Sequence, residues 1–339
     1  MRISTACSSA NSRIRLLAVT LALLLPAAAL FSLCVGASGA SLTQGLADLL
    51  RGVSSPAARI VRYIRLPRVL AAMLAGAALA ASGVLIQGVL GNPLAGPNVI
   101  GVNAGAGFCT LLCACLLPSA AKLLPAAAFA GALLAALVIL LLADRMGASR
   151  ITVVLAGVAI SSIFSAGSDL ITTLDPDATL GMSAFLIGGF ADVSAARLRT
   201  AAVYILPVLA AALLLAGDLD VLALGDEVAA SLGLRVRRTR VLLLAVASVL
   251  AGAAVSFAGL LGFVGLIVPH AMRRLVGGEH RCLMPLSMLG GALLTTVCDL
   301  LARTMFSPYE IPVGILLSLL GGPFFLWLLV RRGKRRVRE

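Results

Sequence analysis

The side chains that could transfer protons inside this 339-residue chain are few. Asp169 and Asp299 both fall inside long apolar runs, where a charged residue is costly and commonly has a function. Asp299 precedes Arg303 by four residues, so the two side chains can pair on one face of a helix. Both acids lie toward the end of their run, which favours a structural or partner-contact role over a proton relay.

Three cysteines, Cys109, Cys113 and Cys115, have the close spacing of a small metal cluster. They lie in one apolar run with no histidine or carboxylate nearby, so we interpret them as small polarisable packing residues. His270 and His280 are the only histidines of the sequence, and their spacing matches no ligand pair. We therefore predict neither a metal site nor a bound cofactor.

The sequence lacks the short motifs of several common enzyme classes. It has no Gly-x-x-x-x-Gly-Lys-Ser/Thr loop, so it does not bind ATP in the P-loop manner. It has no Gly-x-Ser-x-Gly and no His-Glu-x-x-His, which argues against serine hydrolase and metalloprotease sites. We therefore predict a non-catalytic protein.

The composition is that of a membrane protein: 60% of the residues are hydrophobic and 12% are charged. A soluble domain would carry about twice that charged fraction. Runs of about 20 apolar residues recur along the chain, which predicts a single all-α polytopic transmembrane domain over 1–339. The net charge of +13 does not indicate nucleic-acid binding, because the basic residues lie between apolar runs and at the C-terminus.

Ten apolar segments are expected to enter the membrane. The first resembles a signal peptide, but it is about 20 residues long and is expected to be a retained helix. The eighth is short and rich in glycine, and we expect a broken or partial crossing there. The segments are 14–35, 66–90, 99–117, 125–143, 151–173, 198–216, 240–258, 260–272, 283–302 and 311–330.

The basic residues predict the orientation of the chain. An even number of crossings puts both termini on one side, and the basic tail 331–339 marks that side as cytoplasmic. The N-terminal stretch 1–13 and the loop 217–239 are then cytoplasmic as well. We expect a multi-pass protein of the cytoplasmic membrane.

Four arginines lie together on the opposite, outer side, where the positive-inside rule does not favour them. They are Arg59, Arg62, Arg65 and Arg68, just before the second apolar segment. Such a cluster either positions an acidic protein partner by charge or reaches the lipid headgroups. The residues alone leave both interpretations open.

A short polar island at 225–234 separates two long apolar runs. Its bounding glycines, Gly225 and Gly233, can cap a short helix, and Asp226 and Glu227 suit the positive end of that helix. The arginines that follow mark it as cytoplasmic. The island is either a docking helix presented to a soluble partner or an ordinary charged loop.

Two stretches rich in glycine and proline, 92–98 and 259–270, interrupt the apolar pattern. Such breaks fit a protein that moves or that lines a pathway. Gln87 lies within an apolar helix, so it is expected to face a water-filled cavity or to form an interhelical hydrogen bond. A short helix folded back at the outer surface is expected within 174–196, because proline and glycine signals bracket it.

Together these stretches resemble one known family, the FecCD-type permeases of ABC importers for iron–siderophore, haem and cobalamin. The resemblance covers about residues 60–330 in family order and little of the first 60 residues. The matching stretches are Arg65-Leu-Pro-Arg68, Ser82-Gly83 with Gln87, Asn92-Pro-Leu-Ala95, Gly101-Val-Asn-Ala-Gly-Ala106, Leu155-Ala-Gly-Val158, Gly225-Asp-Glu with Ser231-Leu-Gly-Leu234, Gly262-Phe-Val-Gly-Leu-Ile-Val-Pro-His270, Asp299 with Ala302-Arg303, Ile311-Pro-Val-Gly314 and Gly321-Gly-Pro-Phe-Phe325.

The resemblance implies a type II ABC importer permease of about ten helices, paired with a second permease subunit, identical or not. It also implies two cytoplasmic ATPase subunits and a substrate-binding protein outside the membrane. It assigns coupling to the ATPase to Gly225, Asp226, Glu227, Ala230, Ser231, Leu232, Gly233 and Leu234. It assigns docking of acidic residues of the binding protein to Arg65, Arg68 and Arg303.

The same resemblance places a central pathway at the subunit interface, lined by the fifth and tenth segments and by 174–190. The break at the start of the tenth segment fits a gate at the mouth of that pathway. The candidate pathway or gate residues are Gln87, Asn92, Pro93, Thr172, Ile311, Pro312, Val313 and Gly314.

The function that the resemblance implies is import of a metal chelate, most simply an iron(III)–siderophore complex, with haem or cobalamin as alternative cargo. ATP hydrolysis would be supplied by a separate chain. A secondary transporter driven by an ion gradient would need an ionisable site at the membrane midplane, where Asp169 and Asp299 do not lie. An intramembrane enzyme is disfavoured by the missing motifs.

Overall fold

The computed structural model describes residues 2–35, 48, 51–52, 55–145 and 150–336, and the regular structure in those ranges is helical. The predicted all-α class is confirmed. In chain order the helices are α1 (Arg2–Cys34), α2 (Pro56–Leu90), α3 (Val102–Leu116), α4 (Leu124–Arg145), α5 (Arg150–Leu174), α6 (Pro176–Ile187), α7 (Ala195–Leu214), α8 (Ala216–Ala223), α9 (Asp226–Ser231), α10 (Val236–Ala258), α11 (Val264–Val276), α12 (His280–Thr304) and α13 (Val313–Arg336).

Each of the ten predicted membrane segments coincides with a helix. Among the described residues, seven helices are long and apolar enough to cross a membrane: α1, α2, α4, α5, α7, α10 and α12. Helices α3 and α13 are shorter and apolar, and α11 has 13 residues. The eighth segment, predicted at 260–272, begins later than expected, at Val264. Gly259 and Gly262 break the chain before it, so these residues form a loop.

Helix α2 begins at Pro56, well before the predicted start at residue 66. The Ser55 hydroxyl accepts a hydrogen bond from the N–H of Ala58 at 3.1 Å. Pro56 takes the first helical position, where its missing N–H costs little. The turn Val61–Arg65 is π-helical, and the helix continues through Pro67. The four clustered arginines therefore lie on one continuous helix.

Helices α2, α10 and α12 form the buried centre of the fold, with 78%, 72% and 67% of the residues in their most apolar windows buried. Gly76 of α2 lies against the backbone of Gly291 in α12, and a Cβ on either glycine would overlap the other helix. The same relation joins Gly105 of α3 to Gly131 of α4. These small residues let helix backbones touch, as is typical of packing in lipid.

Helix α5 lies at the edge of the fold, with only 11% of its most apolar window buried. Its exposed face carries Ser162, Ser165, Asp169 and Thr173, spaced three or four residues apart as on one side of a helix. The hydroxyls of Ser162 and Thr173 donate to carbonyl groups of their own helix. In a membrane, a face of this kind is normally covered by protein or lines a water-filled cavity.

Two stretches outside the α-helices, 91–101 with the 3-10 helix Pro97–Ile100 and 259–263, meet inside the fold and border a cavity of about 80 Å³. Phe263 has a left-handed backbone conformation, with φ 65°. Its ring lies against Gly321 of α13, where any side chain would overlap it. The breaks predicted from glycine and proline thus pack on each other and on α13, because non-helical backbone at membrane depth must be surrounded by protein or water.

Candidate functional site

Arg65, Arg68 and Arg303 come together at one end of the bundle, which we call the arginine end. Their exposed fractions are 4%, 7% and 2%, so all three are buried within this chain. The Arg68 guanidinium donates through Nε and Nη2 to Asp299 at 3.0–3.1 Å, and through Nη1 to Glu310 at 2.6 Å. A buried cation is stable only when it is paired, so these two carboxylates stabilise Arg68 in its buried position.

Arg65 and Arg303 hold the end of α1. Arg65 donates through Nη1 to the carbonyl oxygens of Leu33 at 2.9 Å and Cys34 at 3.2 Å. Arg303 donates through Nη2 to the carbonyl and hydroxyl oxygens of Ser32. The last carbonyl groups of a helix have no partner within that helix. The two arginines satisfy them and fasten α1 to α2 and α12.

The pair predicted between Asp299 and Arg303 is present but is not the main contact of Asp299. Arg303 Nε lies 3.9 Å from Asp299 Oδ2, whereas the shorter hydrogen bonds of this carboxylate come from Arg68. Four-residue spacing indicates the first contact, but no local pattern indicates an arginine 231 residues away. Glu310 likewise carries no local signal, because it is a lone acid in a loop.

The burial of these three arginines does not suit docking of a soluble partner, because a docking residue has to be accessible to that partner. The three arginines assigned to docking already have partners inside the chain. The exposed members of the cluster are Arg59 and Arg62, and the Arg62 guanidinium lies 5.7 Å from the centre of the Tyr63 ring. Docking through the buried three stays a prediction, and it requires the displacement of a partner that they now hold.

The polar island 225–234 lies at the other end of α12, which we call the loop end. Gly225, with φ 106°, precedes α9, and Gly233, with φ 87°, follows it. The N–H groups of Leu234 and Gly233 donate to the carbonyls of Ala229 and Ala230, both at 3.0 Å. This pattern is a Schellman motif, which requires the left-handed conformation that glycine adopts readily. The glycine caps predicted from the sequence are confirmed.

The residues predicted to contact an ATPase are mostly on the surface. Gly225 and Leu234 are half-buried, and the exposed ones are Asp226, Glu227, Ala230, Ser231, Leu232 and Gly233. Large apolar side chains are also exposed along this segment, at Leu224, Val228 and Leu232. Exposed apolar side chains grouped in a polar segment are typical of a surface that binds protein.

Two carboxylates anchor the loop end to the bundle. Asp226 accepts from Nη2 of the buried Arg240, on α10, at 2.8 and 3.1 Å. Asp220 Oδ1 accepts from the backbone N–H of His280 at 2.6 Å and lies 2.8 Å from its Nδ1. Asp220 therefore caps the start of α12 in place of a local residue. Sequence reasoning does not find this cap, because its two residues are 60 positions apart.

The predicted gate 311–314 connects three helices at the arginine end. Its first residue donates its backbone N–H to the carbonyl of Ala302 at 3.0 Å, and its last residue donates to the carbonyl of Gly188 at 3.1 Å. The gate is thus tied to α12 and to the segment after α6. A cavity of about 360 Å³ lies beside it, and its lining includes Arg68 and Glu310.

Helix α6 is the folded-back helix expected within 174–196, and it joins two of the predicted pathway elements. The hydroxyls of Thr172 in α5 and Thr179 in α6 are 3.1 Å apart. At its other end, Phe185 accepts from the N–H of Leu260 at 3.0 Å. Val313, at the start of α13, is buried against this region. The structure therefore brings Thr172 and the 311–314 stretch to opposite ends of one short helix.

Three other pathway candidates lie elsewhere. Gln87 is fully buried, donates to the carbonyl of Gly265 at 3.2 Å and accepts from Arg273 at 3.4 Å. Of the two alternatives for Gln87, the structure has the interhelical hydrogen bond. Asn92 and Pro93 follow the end of α2 that is remote from Arg68. These three do not join the gate, because α2 separates them from it by most of its length.

Comparison with known proteins gives extensive matches. The model of the FecCD transport family matches residues 23–331. The hemin transport system permease protein HmuU of Yersinia pestis is 41% identical over 279 residues, which cover 80% of this chain and 84% of that protein. The Fe(3+) dicitrate transport system permease protein FecD of Escherichia coli is 39% identical over 273 residues, covering 80% and 85%. The cobalamin import system permease protein BtuC of Halobacterium salinarum is 41% identical over 292 residues, covering 85% and 78%.

A solved structure matches the fold over nearly its whole length. It is an inward-facing conformation of a metal-chelate type ABC transporter, with 31% sequence identity and a TM-score of 0.83. The match covers 94% of this chain and 99% of the solved chain. The helices described above therefore follow the architecture of a type II ABC importer permease, as predicted.

Proposed function

This chain belongs to the FecCD transport family, and we propose that it is the permease subunit through which an ABC importer carries an iron(III)–siderophore chelate. The observation that carries this proposal is the match over most of the chain to permeases named for metal chelates. Those names include hemin, ferric citrate, achromobactin and cobalamin. Iron chelates recur among them, so haem and cobalamin are kept as alternative cargo.

The loop end is proposed to dock a cytoplasmic ATPase subunit. Leu224, Val228 and Leu232 offer it an apolar surface, and Asp226 and Glu227 add charge beside that surface. The anchors at Asp220 and Asp226 tie the segment to α12 and α10. A force applied there by the ATPase would therefore act on the buried bundle rather than on a loose loop.

The arginine end is proposed to face outside, with both termini and the loop end in the cytoplasm. The exposed Arg59 and Arg62 would then steer an acidic substrate-binding protein toward the mouth of the pathway. A second permease subunit would cover the exposed face of α5. The pathway would run between the two subunits, past α5, α6 and the start of α13.

ATP-dependent uptake tests this proposal directly. The chain is reconstituted in liposomes with its companion ATPase and binding protein, and uptake of a ferric siderophore, hemin and cobalamin is compared. We expect ferric siderophore uptake that needs ATP and persists when a protonophore removes the proton gradient. Uptake that follows the proton gradient without ATP would contradict an ABC importer, and preferred uptake of hemin or cobalamin would correct the cargo.

A further inference from the structure

The guanidinium of Arg68 has two carboxylate partners in unlike surroundings. The Asp299 side chain, which accepts from Nε and Nη2, is 2% exposed. The Glu310 side chain, which accepts from Nη1, is 37% exposed. One edge of this guanidinium is therefore sealed in the bundle, and the other is paired with a group that solvent reaches.

The cavity of about 360 Å³ lies at this second edge, and both Arg68 and Glu310 line it. In the part of the chain that the structure describes, Arg68 has two carboxylate partners, Asp299 on its sealed edge and Glu310 on the cavity edge. If Glu310 moved away, the cavity edge of this guanidinium would lose its carboxylate. A carboxylate entering the cavity from another molecule would thus be attracted to the place that Glu310 fills.

Glu310 is also the residue directly before the gate. The next residue, Ile311, donates its N–H to Ala302 of α12, and Gly314 donates to Gly188 after α6. The side chain of Glu310 ties the same segment to α2 through Arg68. The ion pair therefore fixes the loop 305–312 at the point where it meets the arginine end.

We propose that Glu310 occupies, in the uncomplexed permease, the place on Arg68 that a carboxylate of an acidic outer partner takes on docking. The exchange replaces one carboxylate by another, so Arg68 stays paired throughout. Its consequence is the release of Glu310 and of the loop 305–312 that leads into α13. This inference rests on the proposed function for the identity of the partner, but it adds that docking loosens the gate.

The test uses the full chain in lipid nanodiscs and a hexaglutamate peptide as the acidic probe, with hexaglutamine as the uncharged control. The variant is Glu310→Gln, which removes the competing charge. Asp177→Asn is the matched control, because it removes an exposed carboxylate in the first turn of α6. Peptide affinity and hydrogen exchange of the amides in 305–314 are measured at low salt.

We expect Glu310→Gln to bind hexaglutamate about tenfold more tightly than the unsubstituted chain, a typical size for coupled binding. Its loop amides should exchange quickly without peptide, whereas those of the unsubstituted chain should speed up only when hexaglutamate is added. Glu310→Asp, which retains the charge on a shorter side chain, should fall between the two. Asp177→Asn and hexaglutamine should change neither measurement.

Equal peptide affinity in Glu310→Gln and in the unsubstituted chain would overturn the inference. So would exchange in 305–314 that hexaglutamate leaves unchanged or slows in the unsubstituted chain. Neither measurement depends on transport. Failure of ATP-dependent uptake together with a positive peptide result would therefore overturn the proposed function alone.

Discussion

Helices α5 and α12 have the same length and nearly the same hydropathy, but their surroundings are opposite. Each has 25 residues, and the mean hydropathy of the most apolar window is 1.7 in α5 and 1.5 in α12. Only 11% of that window is buried in α5, against 67% in α12. Thr295 of α12 donates to the carbonyl of Ala72 in α2 at 2.6 Å, whereas Ser162 and Thr173 of α5 donate within their own helix.

Hydropathy therefore does not show which helix is central, whereas the buried share of each helix does. A helix whose polar groups bond to neighbouring helices is part of the fold of one subunit. A helix with an exposed polar face is completed by another molecule or by water. The same contrast holds for single residues. Arg68 is buried and paired within the chain, whereas Arg59 is exposed. Asp220 is hydrogen-bonded to the start of α12, whereas Leu232 is exposed.

The largest effect is expected from enlarging a side chain at the centre of the bundle. Ala75 of α2 is fully buried, and Ala75→Leu adds methylene groups to a close-packed site, which costs about 1–3 kcal/mol or more. We expect a lower unfolding temperature and loss of monodisperse protein in detergent. The matched control, Ala166→Leu on the exposed face of α5, should keep its unfolding temperature and lose transport. An equal fall in unfolding temperature for both variants would contradict this difference between the buried centre and the exposed edge of the fold.

The next effect is expected at the loop end. Gly233 has φ 87° and no neighbouring atoms where a Cβ would lie, so Gly233→Trp strains the cap and enlarges an exposed surface. We expect normal insertion and continued ATP hydrolysis, with uptake lowered at least about tenfold, equivalent to about 1.4 kcal/mol. Gly277→Trp is the control, since Gly277 has φ 89° and is equally open. Transport at the original rate in Gly233→Trp would exclude the docking role.

A cysteine scan sharpens the comparison at the proposed pathway. In a background without the native cysteines, Thr172→Cys should react with a small polar thiol reagent added from outside. Val313 is buried but borders the cavity of about 360 Å³, so Val313→Cys should react in a nucleotide state that opens this cavity. Val84→Cys on the fully buried part of α2 should stay unreactive. Labelling is measured in each nucleotide state of the assembled transporter. Protection of both pathway positions in every state would rule out this lining.

The smallest effect is expected from the exposed arginines. Reversing Arg59 and Arg62 to glutamate should slow association with the binding protein roughly tenfold at low salt. The effect should fade as salt rises, because exposed charges are screened over about 8 Å at physiological ionic strength. Reversing Arg235 and Arg238, exposed at the start of α10 at the loop end, makes the same charge change away from the arginine end. An equal slowing by both pairs would mean that net charge, and not the cluster, steers the partner.

Local features of this protein were predictable from its sequence. The ten membrane segments were predictable from runs of apolar residues, and each has a helix in the structure. The caps at Gly225 and Gly233 were predictable because all residues of a capping motif lie within a few positions of one another in the sequence. The candidate gate residues at 311–314 stood out as a proline and a glycine at the start of an apolar segment.

Long-range partners were not predictable in the same way. The sequence places Arg65, Arg68 and Arg303 near the same surface, but their burial depends on Asp299, Glu310 and the end of α1. Arg68 and Glu310 are 242 residues apart, so no spacing rule relates them. The hydrogen bond of Gln87 to Gly265, 178 residues away, is a further case. A single sequence indicates which polar groups need partners, and the fold decides which ones they receive.

The carboxylate of Asp220 at the start of α12 has a mechanical consequence. The helix has 25 residues, a length of about 37 Å, and it carries Asp299 and Arg303 near its far end. An α-helix is stiff along its axis because its turns are hydrogen-bonded to one another, and in α12 the one proline, Pro285, lies close to the capped end. A pull on α8 therefore either breaks the cap or moves α12 as a strut. The loop end and the arginine end are therefore joined by one helix, and we expect a displacement at either end to move the other.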